Sequence, residues 1–314
     1  MRPLALVLTS VFVVGACGDS DSGPEASDWK PVDGLPEAYA YGAVWSFGPD
    51  DVWVTADGGR VLHYDGTEWA VTTLATTELM QAIWGFAPDD LWMVGGQTLA
   101  RYDGATWTIT DLRAEDPGIE GVTAIWASAP SDVWVGGTQS TAAHFDGTTW
   151  QRYIAAGTDN TAVWGSGPSD VYTVGIFDVA RWDGAAWTNL ELDEISGASG
   201  VWGFGANDVW LASGSEELAH YDGSTWEVTE IDGFGGATTL WGIAPDDLWG
   251  VGDFGSIVHY DGAEWRQVAA QTLGSPYLRS FTRVHGSSST DVWAVGSQAG
   301  EEGVVPLLWR YLPD

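Results

Sequence analysis

The sequence predicts an all-β fold, a seven-bladed β-propeller with four strands in each blade. The first observation is a unit of the form A-[VI]-W-G-x-x-P-x-D-V-W-x-V-G, then [HR]-Y-D-G-x-x-W, which recurs about every 40 residues. The second is that 20 of the 21 tryptophans fall into four columns of this unit. The third is that the last repeat lacks its final strand, while Ser27–Val32 resembles such a strand with no repeat before it.

Three main tryptophan columns run through the repeats, whose strands we call A to D from first to last. The first column comprises Trp45, Trp84, Trp126, Trp164, Trp202, Trp241 and, in the seventh repeat, His285. The second comprises Trp53, Trp92, Trp134, Tyr172, Trp210, Trp249 and Trp293. The third comprises Trp69, Trp107, Trp150, Trp187, Trp226 and Trp265, with Trp29 as its seventh member. Strand B is apolar on both faces, so we expect it to pack between neighbouring blades and the columns to form the core. Sugar-stacking platforms are the alternative for individual rings.

A ring closed by its N-terminus explains the incomplete units at both ends. Ser27–Val32 would supply the outer strand of a blade whose other strands lie between Val284 and Tyr311. An open solenoid would instead need a capping repeat at each end. No linker-like break interrupts the repeats, so residues 27–314 are predicted to form one domain.

Residues 1–16 are predicted to be a signal peptide outside the fold. Arg2 makes its start positive, residues 4–14 are apolar but too few to span a bilayer, and residues 14–16 offer a small-residue cleavage site. Cys17 follows at once and is the one cysteine of the chain, so it cannot form an internal disulfide. Residues 17–26 are small, polar and acidic, as in a flexible tether.

The chain is strongly acidic, with 44 Asp and Glu against 11 Lys and Arg and a net charge of −33. It offers no basic stripe for phosphates, which argues against a nucleic-acid partner. Two columns of aspartates suit turns, where the side chain bonds nearby backbone amides. They comprise Asp51, Asp90, Asp132, Asp170, Asp208, Asp247 and Asp291 before strand B, and Asp65, Asp103, Asp146, Asp183, Asp222 and Asp261 at the D-G turn. Turn chemistry explains them better than metal binding, and we expect no metal and no cofactor.

One His or Arg stands on strand C of every repeat. These residues are His63, Arg101, His144, Arg181, His220, His259 and Arg310. Each would lie near the Asp that precedes strand B, so we predict structural pairs. A metal site would instead need several such side chains within about 2–2.3 Å of one ion, which equivalent positions on separate blades do not supply.

Loop lengths distinguish two rims of the predicted disc. The first and second columns are always 8 residues apart and the strand C aromatic and third column always 5, whereas the D-to-A and B-to-C spacings vary over 14–20 and 10–18 residues. The variable connections emerge together, and per-repeat differences of this kind favour a binding surface over functionless loops. Its predicted contact residues are Asp57, Gln97, Gln139, Phe177, Asp178, Glu216, Glu217, Asp253 and Phe254. This acidic surface with scattered aromatics suits a basic or cation-bridged partner, or a carbohydrate.

Two resemblances extend this interpretation. Val-Gly-Ala-Cys at residues 14–17 resembles the lipobox of bacterial lipoproteins, which implies a lipid on Cys17, and Gly18 implies the outer membrane by similarity to enteric lipoprotein sorting. The repeats resemble a class of bacterial secreted propellers and, more distantly, photosystem-assembly-factor and Asp-box propellers. The Asp-box pattern is Asp-x-Gly-x-Thr-Trp, whereas Asp and Gly are adjacent here, as in Asp65-Gly66. Asp boxes are themselves structural, so this resemblance implies no hydrolysis.

The sequence therefore predicts a monomeric, lipid-anchored propeller of the bacterial cell envelope that binds or scaffolds an unidentified protein or glycan without catalysis. One alternative is an assembly factor for envelope proteins, by analogy with the photosystem factors. Another is a glycan-active enzyme, sialidase-like or lyase-like. Sialidase chemistry needs a cluster of arginines, and the chain has too few arginines to supply one readily. Pairs of carboxylates would therefore have to carry out catalysis.

Overall fold

A computed structural model describes residues 23–155, 159–175, 178–192, 195, 197–231, 235–268, 279–300 and 303–313. Seven four-stranded antiparallel sheets confirm the seven-bladed propeller. The predicted signal peptide, Cys17 and Phe177 lie outside the described residues. Within the described part of the chain, no helix is long and apolar enough to cross a membrane.

The first four blades follow the order A-B-C-D along the chain. Blade 1 contains β2 (Tyr41–Gly48), β3 (Asp51–Ala56), β4 (Arg60–Tyr64) and β5 (Trp69–Thr73). Blade 2 contains β6 (Ala82–Ala87), β7 (Asp90–Gly95), β8 (Thr98–Tyr102) and β9 (Trp107–Asp111). Blade 3 contains β10 (Val122–Ala129), β11 (Asp132–Gly137), β12 (Thr141–Phe145) and β13 (Trp150–Ile154). Blade 4 contains β14 (Asn160–Gly167), β15 (Asp170–Gly175), β16 (Asp178–Trp182) and β17 (Trp187–Leu190).

The last three blades include the one that both chain ends build. Blade 5 contains β18 (Gly200–Gly205), β19 (Asp208–Ala212), β20 (Glu217–Tyr221) and β21 (Trp226–Glu230). Blade 6 contains β22 (Thr239–Ala244), β23 (Asp247–Val251), β24 (Ile257–Tyr260) and β25 (Trp265–Gln267). Blade 7 contains β26 (Arg279–Ser288), β27 (Asp291–Gly300), β28 (Gly303–Tyr311) and, as its outer strand, β1 (Trp29–Pro31). The short helices are η1 (Ala26–Asp28) and α1 (Leu112–Glu115), and the sequence pattern predicted neither.

The core lies along the B strands, as their apolar pattern predicted. All seven second-column rings are buried, because neighbouring sheets cover both faces of strand B. The third column differs from the expectation of a uniform core. Its rings begin the outermost strands and stay partly exposed, with one exception, Trp29, which is 1% exposed.

Blade 7 is completed by the N-terminal segment. In the antiparallel register of β1 and β28, Trp29 lies opposite Tyr311 and Pro31 opposite Trp309. The Trp29 ring packs edge-on against Trp249 of blade 6, with 5.4 Å between ring centroids, and lies 5.8 Å from Tyr311. This one side chain therefore connects the first strand of the chain with two blades.

The D-G turns on the fixed-spacing rim show the predicted aspartate chemistry. The Asp65 carboxylate accepts hydrogen bonds from the N–H groups of Thr67 and Glu68, each at 2.9 Å, and the other five turns repeat this pair of bonds. Gly66 follows at φ +90°, where a Cβ would lie 2.8 Å from Asp50. The hydrogen bonds from the hydroxyl and N–H of Thr67 and from the N–H of Glu68 lower the pKa of Asp65 to about 2.

We expect the melting temperature to fall as the pH drops from about 4 to about 2. The pKa values of Asp65, Asp146 and Asp222 are lowered from 3.8 to about 2. A lowered native pKa stabilises the fold fully above the unfolded value and loses that effect as the pH falls through the native value. Calorimetric scans from pH 5 to pH 2 measure this. Replacing the three residues by Asn should flatten the dependence, and an unchanged slope would contradict the assignment.

Candidate binding surface on the variable rim

The fixed rim carries seven similar stacks of polar and aromatic side chains. In blade 5, His220 lies flat on Trp210 with 3.9 Å between ring centroids, and its Nε2 is 2.8 Å from Asp208. The indole Nε1 of Trp210 donates to the same carboxylate at 3.1 Å. The pairs are His63–Asp51, Arg101–Asp90, His144–Asp132, Arg181–Asp170, His220–Asp208, His259–Asp247 and Arg310–Asp291. The predicted structural pairing is confirmed in every blade.

The variable rim contains the predicted contact residues that the structure describes, but several have local structural roles. Asp57 is an example: burial opposes its ionisation, yet bonds from the N–H groups of Tyr39 and Ala40 and from Arg60 outweigh this and lower its pKa. The Gln139 side chain donates to Glu120, and its backbone has φ 55°. The backbone carbonyl of Gln97 accepts from Leu112, the first residue of α1.

Two predicted loop positions belong to strands instead. Asp178 opens β16 opposite Gly175, and Glu217 opens β20 opposite Glu230. The placement of both residues in loops was wrong because the ladder with the neighbouring strand begins earlier than the aromatic pattern suggests. Asp178 also lies in blade 4, apart from the group described next.

Four predicted residues come together between blades 5 and 6. Glu216, Glu217, Asp253 and Phe254 line a pocket of about 410 Å³, together with Glu230 and four small residues of the adjoining loops. The D-to-A connection forms one wall through Gly236, which has φ +46° and lies so close to Ser215 that a Cβ would be 1.6 Å from its carbonyl oxygen. Only glycine fits there, because this φ and this contact both exclude a side chain.

A second pocket adjoins the first between blades 6 and 7. It measures about 290 Å³ and shares Asp253 and Phe254 with the first pocket. Arg279 and Val304 lie on its far side. The Arg279 guanidinium donates to Gln298 at 2.6 Å and lies 5.1 Å from the centroid of the Trp309 ring. We call the two pockets and the β27–β28 tip beside them the blade 5–7 sector.

The β27–β28 hairpin extends this sector outward. The two strands have 10 and 9 residues, whereas the B strands of the other blades have 5 or 6. Val304 and Val305 near its tip are 64% and 50% exposed. Successive side chains of a strand point to opposite faces, so the end of this hairpin presents one exposed apolar side chain on each face.

Phe254 occupies the ridge between the two pockets. Its φ of 57° is uncommon for a bulky residue, and its side chain is 39% exposed. The turn is fixed by the Ser256 N–H, which donates to the Asp253 carbonyl, and by the Ser280 hydroxyl, which donates to the Asp253 carboxylate at 2.7 Å. A strained backbone that holds an aromatic ring outward is typical of ligand-contacting sites.

The first pocket has a strongly negative character. Glu217 and Glu230 lie directly opposite each other on neighbouring strands, an arrangement that destabilises a sheet when both are charged. Glu216 and Asp253 add two exposed carboxylates to the same pocket. Among the described residues, no three His, Cys, Asp or Glu are grouped so as to hold a metal ion. The pocket therefore suits a cationic group of a larger ligand.

Glu230, Val304 and Val305 were not predicted as contact residues. Glu230 lies at the end of a D strand, and only the cross-strand register places it beside Glu217. The signal for the two valines was the B-to-C spacing of 18 residues in the last repeat, against 10 or 11 elsewhere. Strands B and C keep the same register in every blade near the fixed rim. The extra residues of the β27–β28 hairpin therefore extend it beyond the B–C hairpins of the other blades.

Several solved structures superpose on most of this chain. A structure described as YCF48 bound to D1 peptide superposes with a TM-score of 0.69 at 18% identity, covering 94% of this chain and 98% of the other. YCF48 from Cyanidioschyzon merolae gives a TM-score of 0.66 at 17% identity, covering 91% and 98%. The WD40 repeats of RRP9 give 0.71 at 7% identity, covering 93% and 99%. No protein-family model and no curated protein matches the chain. At these identities the similarity establishes the fold alone.

Proposed function

We propose that this chain is a non-catalytic binding module of the bacterial cell envelope, which holds a protein partner on the blade 5–7 sector. The observation that carries the proposal is the union of a carboxylate-lined pocket, a strained and exposed Phe254, and an apolar hairpin tip on one rim. A partner segment with Lys or Arg beside apolar residues complements these features. The acidic pocket would receive the cation, and the ridge and hairpin would cover the apolar side chains.

A protein partner fits the sector better than a carbohydrate. Sugars stack on flat aromatic faces, whereas Val304 and Val305 are aliphatic and project from a hairpin. YCF48, which has the same architecture, was solved with a bound peptide. Assembly of envelope proteins, by analogy with the photosystem-assembly-factor propellers that the repeats resemble, is one specific form of the proposed function.

The absence of catalysis is part of the proposal, and the five histidines support it. Four of them are paired with aspartates on the fixed rim. Burial lowers the pKa of the fifth, His285, to about 3, which makes it a poor base at neutral pH. General acid–base chemistry at neutral pH would then depend mainly on carboxylates, as in the glycan-active alternative.

The binding proposal is tested by a variant of the sector and a matched variant of the opposite rim. Glu216→Gln, Glu217→Gln and Phe254→Asn together should weaken capture of the partner about 10-fold or more, since central contacts dominate binding energy. Asn tolerates positive φ, so the melting temperature should change little. Glu68→Gln with Glu227→Gln removes the same two charges elsewhere and should bind normally.

Quantitative pulldown from envelope extract over a salt series, with a glycan array in parallel, provides the measurement. Capture that weakens with salt in the wild type but is already weak in the sector variant supports the proposal. Equal capture by both variants would place the interface elsewhere. Glycan binding that depends on Phe254 would favour the carbohydrate alternative.

The envelope location depends on Cys17 and has its own test. We expect Cys17→Ser to abolish metabolic labelling with palmitate and to release the protein from the membrane fraction, because the lipid would be the attachment. The variant should keep the wild-type melting temperature, since Cys17 precedes the blades. Unchanged labelling and fractionation would exclude the anchor while leaving the binding proposal intact.

A further inference from the structure

The central channel of the propeller differs from the rims in being almost free of charge. The A strands of all seven blades surround a cavity of about 110 Å³, lined mainly by small or apolar residues. Two residues before the first-column ring, six repeats carry Ala43, Ala82, Ala124, Ala162, Gly200 and Thr239. The seventh repeat carries Arg283 at this position, which places a large cation where the other blades place small residues.

Arg283 reaches across the channel. One terminal nitrogen donates to the carbonyl oxygen of Thr123 in blade 3, on the opposite side of the ring, at 3.2 Å. The other donates to the neighbouring Thr282 carbonyl at 2.8 Å. Both partners are neutral, and the guanidinium has five N–H donors in total. Within the described residues, no carboxylate lies within 4.0 Å of it.

Most of the described arginines form ion pairs, whereas Arg283 does not. Six other arginines form ion pairs: Arg60, Arg101, Arg113, Arg181, Arg266 and Arg310. The net charge is −33, so acidic residues are abundant, yet none faces this cation in the described structure. Removal from water lowers the pKa of Arg283, which reflects the cost of keeping the charge there. A desolvated charge of this kind is stabilised when an opposite charge joins it.

His285 adds a second donor on the same strand. It lies two residues from Arg283, so both side chains project from the same face of β26 toward the channel. Its Nδ1 accepts a hydrogen bond from the Ser46 N–H at 3.1 Å, which leaves the proton of the neutral ring on Nε2. The ring is stacked on Trp45 with 3.8 Å between centroids, which fixes its orientation.

We infer that the central channel is a binding site for one carboxylate group, with Arg283 as its charged ligand and His285 as a neutral donor beside it. A planar guanidinium matches a carboxylate through two parallel hydrogen bonds. A single positive charge balances a single negative one, and the small cavity accommodates a group of this size. The carboxylate comes either from a small free acid or from the C-terminus of a peptide. This site is separate from the blade 5–7 sector and does not depend on the function proposed for it.

Acetate titration of the mature chain at constant ionic strength tests the site. Trp45, Trp84, Trp202 and Trp241 line the cavity, so indole fluorescence reports occupancy directly. We expect a saturable fluorescence change and a rise in melting temperature in the wild type. Arg283→Gln should weaken binding about 10-fold or more, because it removes a hydrogen-bonded charge. Arg266→Gln, which removes an exposed positive charge from the fixed rim, should bind acetate like the wild type.

Arg283→Met is a second variant, which shows whether a loss of acetate binding results from a loss of folding. Replacing an unpaired desolvated charge by an apolar chain should leave the melting temperature unchanged or higher without acetate, and insensitive to acetate. Equal acetate responses in the wild type and in Arg283→Gln or Arg283→Met would overturn the inference. Chloride that competes as strongly as acetate would overturn the carboxylate assignment.

Short peptides distinguish the two sources of the carboxylate. If peptides with a free C-terminus bind more tightly than acetate and their C-terminal amides do not bind, the site binds the C-terminal carboxylate of a peptide. If acetate and formate bind but the peptides do not, the ligand is a small free acid. Both results support a carboxylate site. Amides that bind as tightly as free peptides would contradict it.

Discussion

Deleting residues 27–32 is expected to open the propeller and to cause a large loss of stability with aggregation. The deletion removes β1 and with it Trp29, which is buried between blades 6 and 7. Burying a tryptophan removes about 150–250 Å² from water, which at about 25 cal/mol/Å² corresponds to about 4–6 kcal/mol. The deletion also exposes the free edge of β28, a template for pairing with other chains.

A deletion of residues 18–23 is the matched control, because it has the same length and leaves β1 in place. Thermal unfolding and light scattering of both proteins provide the measurement. Single substitutions refine the result: Trp29→Ala should cost about 3–5 kcal/mol, and Trp226→Ala, in the partly exposed third column, should cost less. Equal melting temperatures for the two deletions would refute closure of the ring by β1.

Asp291→Ala is expected to have the second largest effect. This carboxylate accepts hydrogen bonds from the Ser46 and Ser287 hydroxyls, each at 2.7 Å, and from the Trp293 indole at 2.9 Å. It also pairs with Arg310 at 3.0 Å, and it is 3% exposed. Ser46 belongs to blade 1 and Asp291 to blade 7, so this one side chain joins the two neighbouring blades. Removing it leaves the partly buried Arg310 cation and three donors without their partner, which costs about 3–5 kcal/mol.

Asp51→Ala is the comparison within the same column. Asp51 is more exposed and accepts only from Trp53 and His63 within its own blade. We expect a loss of about 1–3 kcal/mol there, because two donors lose their acceptor in a less buried setting. Denaturant titration gives both values. If Asp291→Ala lowers the free energy of unfolding no more than Asp51→Ala does, the hydrogen bond between Ser46 and Asp291 contributes nothing to stability.

The repeats predicted the fold because each local signal agreed with the others. The constant spacing between the columns fixes strands A and B as a tight pair, and the D-G turn fixes strands C and D. Asp65 and His63 therefore had structural partners that the pattern could name in advance. The register of β1 against β28 followed from Trp29, because Trp29 aligns with the six other tryptophans of the third column.

The binding surface was predictable only in part, because it depends on departures from the repeat. The variable spacings predicted one rim as the binding surface, but they could not show that pockets lie between blades 5, 6 and 7 or that Gln97 and Asp57 support local structure. The tryptophan columns carry no signal for Arg283, which stands in the column of small residues two positions before the first column. Its significance depends on the distance across the ring, which no spacing within one repeat reports.

The position of the N-terminal segment determines which way the disc would face if Cys17 carries a lipid. β1 runs from the rim of the D-G turns, and Gly23 lies beside Arg266, whose guanidinium pairs with the turn residue Asp261. Gly23 lies six positions after Cys17 in the sequence. Six fully extended steps reach about 20 Å, which is about the height of the disc given strands of typical length. The bilayer would then lie beneath the stacks of His, Arg and Trp. The blade 5–7 sector, with Glu216, Phe254 and the β27–β28 tip, would then point away from the lipid into the aqueous compartment. A soluble partner could bind it without contacting the membrane.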